Sequence, residues 1–272
     1  MKEDFSELYK AGETSGQAVE RLERILRLLR GEDGCPWDKA QTHESIKGCV
    51  IEEAYETLDA IERGDMDNLE EELGDLLLQV VFHGGMGGDK GIFDLKSIAN
   101  RVSDKMIRRH PHIFLKETAK TIDKVLEKWE NVKRQEKGEP SHSEILDSIP
   151  RALPALIRGH KVQAKAAEAG FDWDDVSGAF MKLREEMAEL FEAYQEGDKE
   201  KQKDELGDLL FSAVNAARFL GIDPEEALND ASRKFIKRFR YVESAAANAG
   251  RRLDDMSIDE MDVLWEQAKR RS

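Results

Sequence analysis

The sequence is poor in the residues that staple, break or stiffen a chain. Of its 272 residues only two are cysteine (Cys35 and Cys49), six are proline, and 7% are aromatic. Two loosely spaced cysteines exclude a disulfide framework and a zinc knuckle. No run approaches the roughly 18 consecutive apolar residues that a membrane-spanning helix requires. The opening MKEDFSELYKAGETSG lacks the basic-then-apolar order of a secretion signal. Basic charge is in deficit too, with 42 Lys and Arg against 57 Asp and Glu, a formal charge of −15. That excludes a nucleic-acid polymer as the main partner, because phosphate backbones want a basic surface. The expectation is a soluble, cytoplasmic protein with no membrane partner.

What is present is helix. Ala, Leu, Glu, Lys, Arg and Met dominate, and alternating β-branched runs are missing, so an all-α fold is expected. Residues 17–30 place Val19, Leu22, Ile25, Leu26 and Leu29 at helical spacing. The length suits two domains of roughly 130 residues. The first, 17–132, follows a polar tail over 1–16. Residues 133–150, with Gly138, Pro140 and Pro150, read as a linker, and the second domain is 151–272. The glycine run Gly84-Gly85-Met86-Gly87-Gly88 is expected to interrupt the first domain after a helix ending near His83.

The two domains are copies. A shift of 133 residues, without a gap, lays Glu52-Glu53-Ala-Tyr-Glu56 on Glu185-Glu186-Met-Ala-Glu189. It also lays Gly64-Asp65 on Gly197-Asp198, and Glu72-Leu-Gly-Asp75-Leu-Leu on Glu205-Leu-Gly-Asp208-Leu-Leu. Trp37-Asp38 matches Trp173-Asp174 with a slip of three residues, and Lys105/Arg109 matches Lys234/Arg238 after four residues of the glycine run are dropped. An ordered set of this kind is an internal repeat.

The repeated feature is a concentration of carboxylates. Glu52, Glu53 and Glu56 share one side of a helix, as Glu72 and Asp75 share one side of the next. A Gly-Asp turn between the helices folds them antiparallel and aims up to five acids at one place. Like charges so close raise one another's pKa and weaken each helix by tenths of a kcal/mol per pair. Divalent cations remove that penalty, and all-oxygen ligands select Mg²⁺, with Mn²⁺ as a substitute. A merely solvated acidic face is the bland reading. The identical spacing in both copies argues against it, as do the adjoining Leu73, Leu76, Leu77, Leu206, Leu209 and Leu210, which must be buried. A di-iron bundle is excluded, because the sole Glu-x-x-His, Glu139 to His142, lies in the linker beside a proline.

Carboxylate-held Mg²⁺ commonly coordinates phosphate, and cations should then stand opposite. Lys234 and Arg238 are one turn apart on a later helix, with Lys105 and Arg109 in the same place in the first copy. With these residues in view, the chain resembles the MazG family of nucleoside triphosphate pyrophosphohydrolases. The flanking phrases GCPWDKAQTH (34–43), RRHPHIF (108–114), GFDWDD (170–175), DELGDLLFSAVNAARFL (204–220), KFIKRF (234–239) and LWEQAK (264–269) carry the likeness further. Ala231-Ser232-Arg233-Lys234-Phe235 stands where similar sequences often read Thr-Asn-x-Lys-Phe. The resemblance implies Mg²⁺-dependent cleavage of an NTP to NMP and pyrophosphate by a helical homodimer, with like copies paired into four-helix bundles.

The charges around the acids distinguish the copies. Lys182, Arg184 and Lys203 of the second copy stand against Cys49, Ile51 and Glu70 of the first. The second copy is therefore expected to be the working site. Its metal ligands are Glu186, Glu189, Glu205 and Asp208, and Glu185 or Glu186 accepts a proton from the attacking water. Lys182, Lys203, Lys234, Arg238 and Trp265 are its substrate contacts. In the first copy Glu53, Glu56, Glu72 and Asp75 form a weaker or structural metal site, with Lys105 and Arg109 toward phosphate. There is no Walker loop and no Ser/His/Asp arrangement to suggest another chemistry. A nucleotide-sensing module without turnover and a structural adaptor are the competing readings.

Overall fold

The computed structural model describes residues 5–114 and 141–271, with Thr121, Val125 and Gly138 between them. The chain divides into two compact units, Met1–Glu136 and Lys137–Ser272. Among the described residues there is no strand. Of the expected linker, 133–150, residues 133–137, 139 and 140 lie outside the described residues. Its last part, His142–Asp147, is helical (α7 below).

In the first unit the helices are α1 (Ser15–Leu29), α2 (Pro36–Ala40), α3 (Lys47–Arg63), α4 (Met66–Asp89), α5 (Leu95–Arg109) and α6 (Pro111–Phe114). Helices α3 and α4 form the expected antiparallel hairpin, and α1 and α5 pack on α4. The Gly-Asp turn works by division of labour. Gly64 ends α3 in the left-handed region at φ 66°, and Asp65 caps α4 by accepting from the Asn68 N–H at 3.1 Å. Leu26, Ile46, Val81, Phe82 and Met86 make the core, with Leu22, Cys49, Leu78 and Leu95 against it.

Two sequence expectations change here. The residues before α1 are more than a polar tail, since Ser6–Tyr9 form a 3₁₀ turn and the Arg21 Nε–H donates to the Leu8 carbonyl at 2.7 Å. The glycine run does not end α4, which continues through it to Asp89. Gly84 and Gly87 are buried, and a Cβ on Gly87 would stand 2.5 Å from the Phe93 carbonyl oxygen. The glycines let the chain before α5 lie directly on the helix surface, and that packing outweighs their poor helix propensity.

In the second unit the helices are α7 (His142–Asp147), α8 (Ala155–Glu168), α9 (Val176–Glu196), α10 (Lys199–Phe219), α11 (Pro224–Asn248) and α12 (Ile258–Arg271). Helices α9 and α10 are the second hairpin, turned by Gly197 at φ 76° and by Asp198, which accepts from the N–H groups of Glu200 and Lys201. Helix α8 packs on α10 and α11, and α12 lies along α11. The core is built of small residues, Ala179, Ala193, Val214, Ala216, Val242, Ala246 and Ala268.

The leucines beside the acids correct a third expectation. Leu73, Leu77, Leu206 and Leu210 are exposed within the single chain, by 51%, 38%, 47% and 51%. Each hairpin therefore leaves these leucines largely uncovered by its own unit.

Candidate metal and nucleotide site

The acids of the second hairpin converge as their spacing requires. Glu185, Glu186 and Glu189 on α9 can offer one oxygen each within 4.8 Å of one another, and so can Glu186, Glu205 and Asp208 across α9 and α10. Glu186 belongs to both triads and is only 3% exposed. A buried carboxylate needs a compensating cation. Lys182, one turn earlier on α9, supplies it, with Nζ 2.5 Å from Glu186 and 2.7 Å from Glu185. The two carboxylates hold the Lys182 ammonium well above the usual lysine range. Burial, then the charges of Glu186 and Glu205, raise the Glu189 carboxyl.

The first hairpin repeats the arrangement with Glu53, Glu72 and Asp75. Burial first, then Asp75, Glu56 and Glu72, raise Glu53; burial, then Glu56 and Glu71, raise Glu72. Glu56 thus belongs to the same field. Among the described residues no lysine pairs with Glu53. Cys49 occupies the position of Lys182, and the Gln79 amide reaches Glu53 at 3.5 Å. One further turn along α4, His83 faces His43, with the Nδ1 atoms 2.7 Å apart and the rings stacked within 4°. Burial and the neighbouring His43 hold His83 below the usual histidine range.

Beside the second acid cluster opens a cleft of about 710 Å³, bordered by Lys182, Glu186 and Asp208 at one end. That volume falls in the range of small-molecule sites. Its apolar walls include Val162, Phe171, Trp173 and Phe211. The Trp173 indole lies over Gly178, where any Cβ would stand 2.7 Å from the ring, so glycine is needed there. Arg218 is fixed by Asp172 and Asn215, donating Nε–H and Nη2–H to Asn215 Oδ1 at 3.0 and 2.9 Å. Gln163 and Ser212, both buried, complete the polar lining.

The remaining sequence-derived residues lie elsewhere. Lys203 is exposed on α10, whereas the charge of Glu205 acts on Lys201, which also pairs with Glu196 at 3.0 Å. Lys234 is exposed on α11. Arg238, one turn on, has a buried Nε–H with no acceptor. Trp265 on α12 packs against Phe235 at 4.9 Å between ring centroids. None of Lys203, Lys234, Arg238 and Trp265 lines the cleft. Lys105 and Arg109 lie half-buried on α5. Sequence reasoning missed Gln163, Phe171, Asn215 and Arg218. The Trp-Asp repeat, Trp37-Asp38 on Trp173-Asp174, and the phrases GFDWDD (170–175) and DELGDLLFSAVNAARFL (204–220) pointed toward this region without giving these residues a role.

The comparisons with known proteins agree with the geometry. The model of the MazG nucleotide pyrophosphohydrolase domain matches twice, over residues 41–114 and 178–242, which hold the two acid hairpins. The nucleoside triphosphate pyrophosphohydrolase of Escherichia coli K12 is 45% identical over 255 residues, 93% of this chain and 97% of that protein. The nucleoside triphosphate pyrophosphohydrolase/pyrophosphatase MazG of Thermotoga maritima is 42% identical over 255 residues, 94% and 97% of the two chains. A nucleoside triphosphate pyrophosphohydrolase of Mycolicibacterium smegmatis is 32% identical over 250 residues, 91% of this chain and 66% of that one. With two acid hairpins of one design, each inside a family match, the chain belongs to the MazG nucleotide pyrophosphohydrolase family.

Proposed function

We propose that the protein hydrolyses nucleoside triphosphates, ribo- and deoxyribo- alike, to the monophosphate and pyrophosphate. In this reading it cleans or regulates the cytoplasmic nucleotide pool with broad base preference. The observation that carries the reading is Glu186, a buried carboxylate shared by two acid triads and bordering a nucleotide-sized cleft.

The donor set fits a hard divalent cation. It is all oxygen, burial and then the neighbouring acids raise Glu189, and a lysine ammonium stands in as counter-charge. Glu186, Glu189, Glu205 and Asp208 would hold Mg²⁺, or Mn²⁺ in its place; Glu53, Glu56, Glu72 and Asp75 would form the weaker N-terminal site. When bound, the metal supplies charge neutralisation at the phosphate oxygens and a water of lowered pKa. The chain's own groups do the rest. Glu185, with Glu186 as the alternative, accepts the proton of the attacking water. Lys182 leaves Glu186 for the phosphate chain, where its ammonium offsets charge that develops on the departing pyrophosphate. Lys203, Lys234 and Arg238 add positive charge, and the unmatched Arg238 Nε–H calls for an anionic acceptor. Trp265, set against Phe235, holds the α11–α12 corner that carries this pair. Lys105 and Arg109 take the same part in the first copy.

The second unit is the working copy, because Lys182 gives it a mobile cation where the first has Cys49. The test is to incubate purified protein with each NTP and Mg²⁺ and quantify products. Equal amounts of NMP and pyrophosphate, lost in EDTA, are expected. Release of orthophosphate, or of nothing, overturns the reading; tight metal-dependent binding without turnover would make the chain a nucleotide sensor.

A further inference from the structure

The cleft contains one buried polar atom with nothing to bind. Gln163 on α8 is 8% exposed, and its Nε2–H donates across to the Phe211 carbonyl on α10 at 2.7 Å. A carbonyl oxygen can only accept, so this bond fixes which end of the amide is nitrogen. Oε1 is therefore the other end, buried and without a partner. Gln163 itself lines the cleft. A buried acceptor left unmade is costly, and such groups in native proteins are nearly always matched when the site is filled.

The position says what fills it. Phe211 is three residues beyond Asp208 on α10, so Gln163 touches the cleft about one helical turn, roughly 5 Å, from the acid cluster. With the triphosphate at the acids, the nucleoside end of the substrate extends into this space, between the Phe171, Trp173 and Phe211 rings. Asn215, Asp172 and Arg218 are engaged with one another. The Asn215 oxygen accepts twice from Arg218, and Asp172 neutralises the guanidinium. Gln163 Oε1 is the buried acceptor of the cleft without a partner.

We infer that Gln163 is a base-reading residue, its Oε1 accepting an N–H from the pairing edge of the nucleobase. The inference rests on the function proposed above. Every standard base presents such a donor: the amino groups of adenine and cytosine, the ring N–H of guanine, uracil and thymine. One acceptor therefore demands a nucleobase without choosing among them, which reconciles a shaped cleft with broad base preference. Bases without the donor are disfavoured, because they leave Oε1 buried and unmatched.

The experiment compares ATP with purine riboside 5′-triphosphate, which lacks only the 6-amino group. In the wild type kcat/KM for ATP should be higher by about tenfold or more, the worth of one such hydrogen bond. In Gln163→Met, of similar length but without the acceptor, the ratio should fall to about one. A wild-type ratio of one overturns the inference without any variant, so a misfolded Gln163→Met leaves it falsifiable. An unchanged ratio in a Gln163→Met protein of native helix content overturns it as well. Should neither nucleotide be hydrolysed, the proposed function fails, and the ratio of the two dissociation constants by calorimetry still decides the role of Gln163.

Discussion

Glu186 is the residue on which the second unit turns. It is held out of water on α9, it joins two triads, and in the absence of metal its charge is answered by Lys182. Replacing Glu186 or Asp208 by Ala is expected to lower NTP hydrolysis about a thousandfold, some 4 kcal/mol of transition-state stabilisation. Glu53→Ala and Asp75→Ala should keep the greater part of the activity. Equal losses from both copies, in variants whose circular dichroism is unchanged, would overturn the assignment of the second copy. The same carboxylates make stability depend on pH in a defined direction. Glu53, Glu72 and Glu189 are raised above their ordinary value, first by burial and then by neighbouring acids. A carboxyl with a raised folded pKa stabilises the fold while protonated. That contribution is lost as pH rises from the unfolded value, near 4.5, through the folded one. Metal-free protein should therefore lose part of its stability across this window, and Mg²⁺ should restore it. Thermal melts in EDTA and in Mg²⁺ at pH 5 and pH 8 check this: the Mg²⁺-induced gain in Tm must be larger at pH 8. Lys182→Met should lower the metal-free melt further, since it strands Glu186 without a counter-charge.

At the scale of the element, α4 offers a contrast between two of its glycines. Gly87→Ala would place a Cβ 2.5 Å from the Phe93 carbonyl oxygen, whereas at Gly85 the nearest atom is Arg30 Cδ at 4.0 Å. Alanine gains about 1 kcal/mol of helix propensity at either site. At Gly87 the overpacking, of about 1–3 kcal/mol, opposes it and involves backbone that cannot swing away. Gly87→Ala is expected to lower the melting temperature of the first unit and Gly85→Ala to leave it equal or higher. The reverse order would show that the α4–α5 connection yields. This pair also explains what could be read from the sequence. The acid hairpins are legible because their geometry is local: Glu186 and Glu189 share a face at i,i+3, the Gly-Asp turn is two residues long, and both occur twice. The glycine run is misread because helix-breaking composition and close packing write the same letters; the difference lies in Phe93 and Leu95, which come later in the chain. The cleft is illegible for a similar reason. Gln163 and Phe211 stand 48 residues apart, neither is charged, and nothing in the spacing of either announces their bond.

At the scale of the molecule the unresolved balance is apolar surface. Beyond the exposed leucines of the hairpins, Met187, Phe191 and Tyr194 on α9 are 60%, 58% and 68% exposed. Single exposed apolar residues are ordinary, but a stripe of them along both helices of a hairpin marks an interaction surface. A second copy of the same hairpin covers such a stripe self-complementarily and completes a four-helix bundle. The protein is therefore expected to be a homodimer, with light scattering giving about twice 30.9 kDa at micromolar concentration. Introducing a charge at the centre of the stripe, Leu206→Glu, buries an unpaired carboxylate in that interface, at a cost of several kcal/mol counted once per subunit. It should shift the species toward a monomer of 30.9 kDa while helix content persists. A wild type that runs as a monomer would remove the homodimer. A Leu206→Glu protein that stays dimeric would move the interface off this face, and the exposed leucines beside the acids would then need a different occupant.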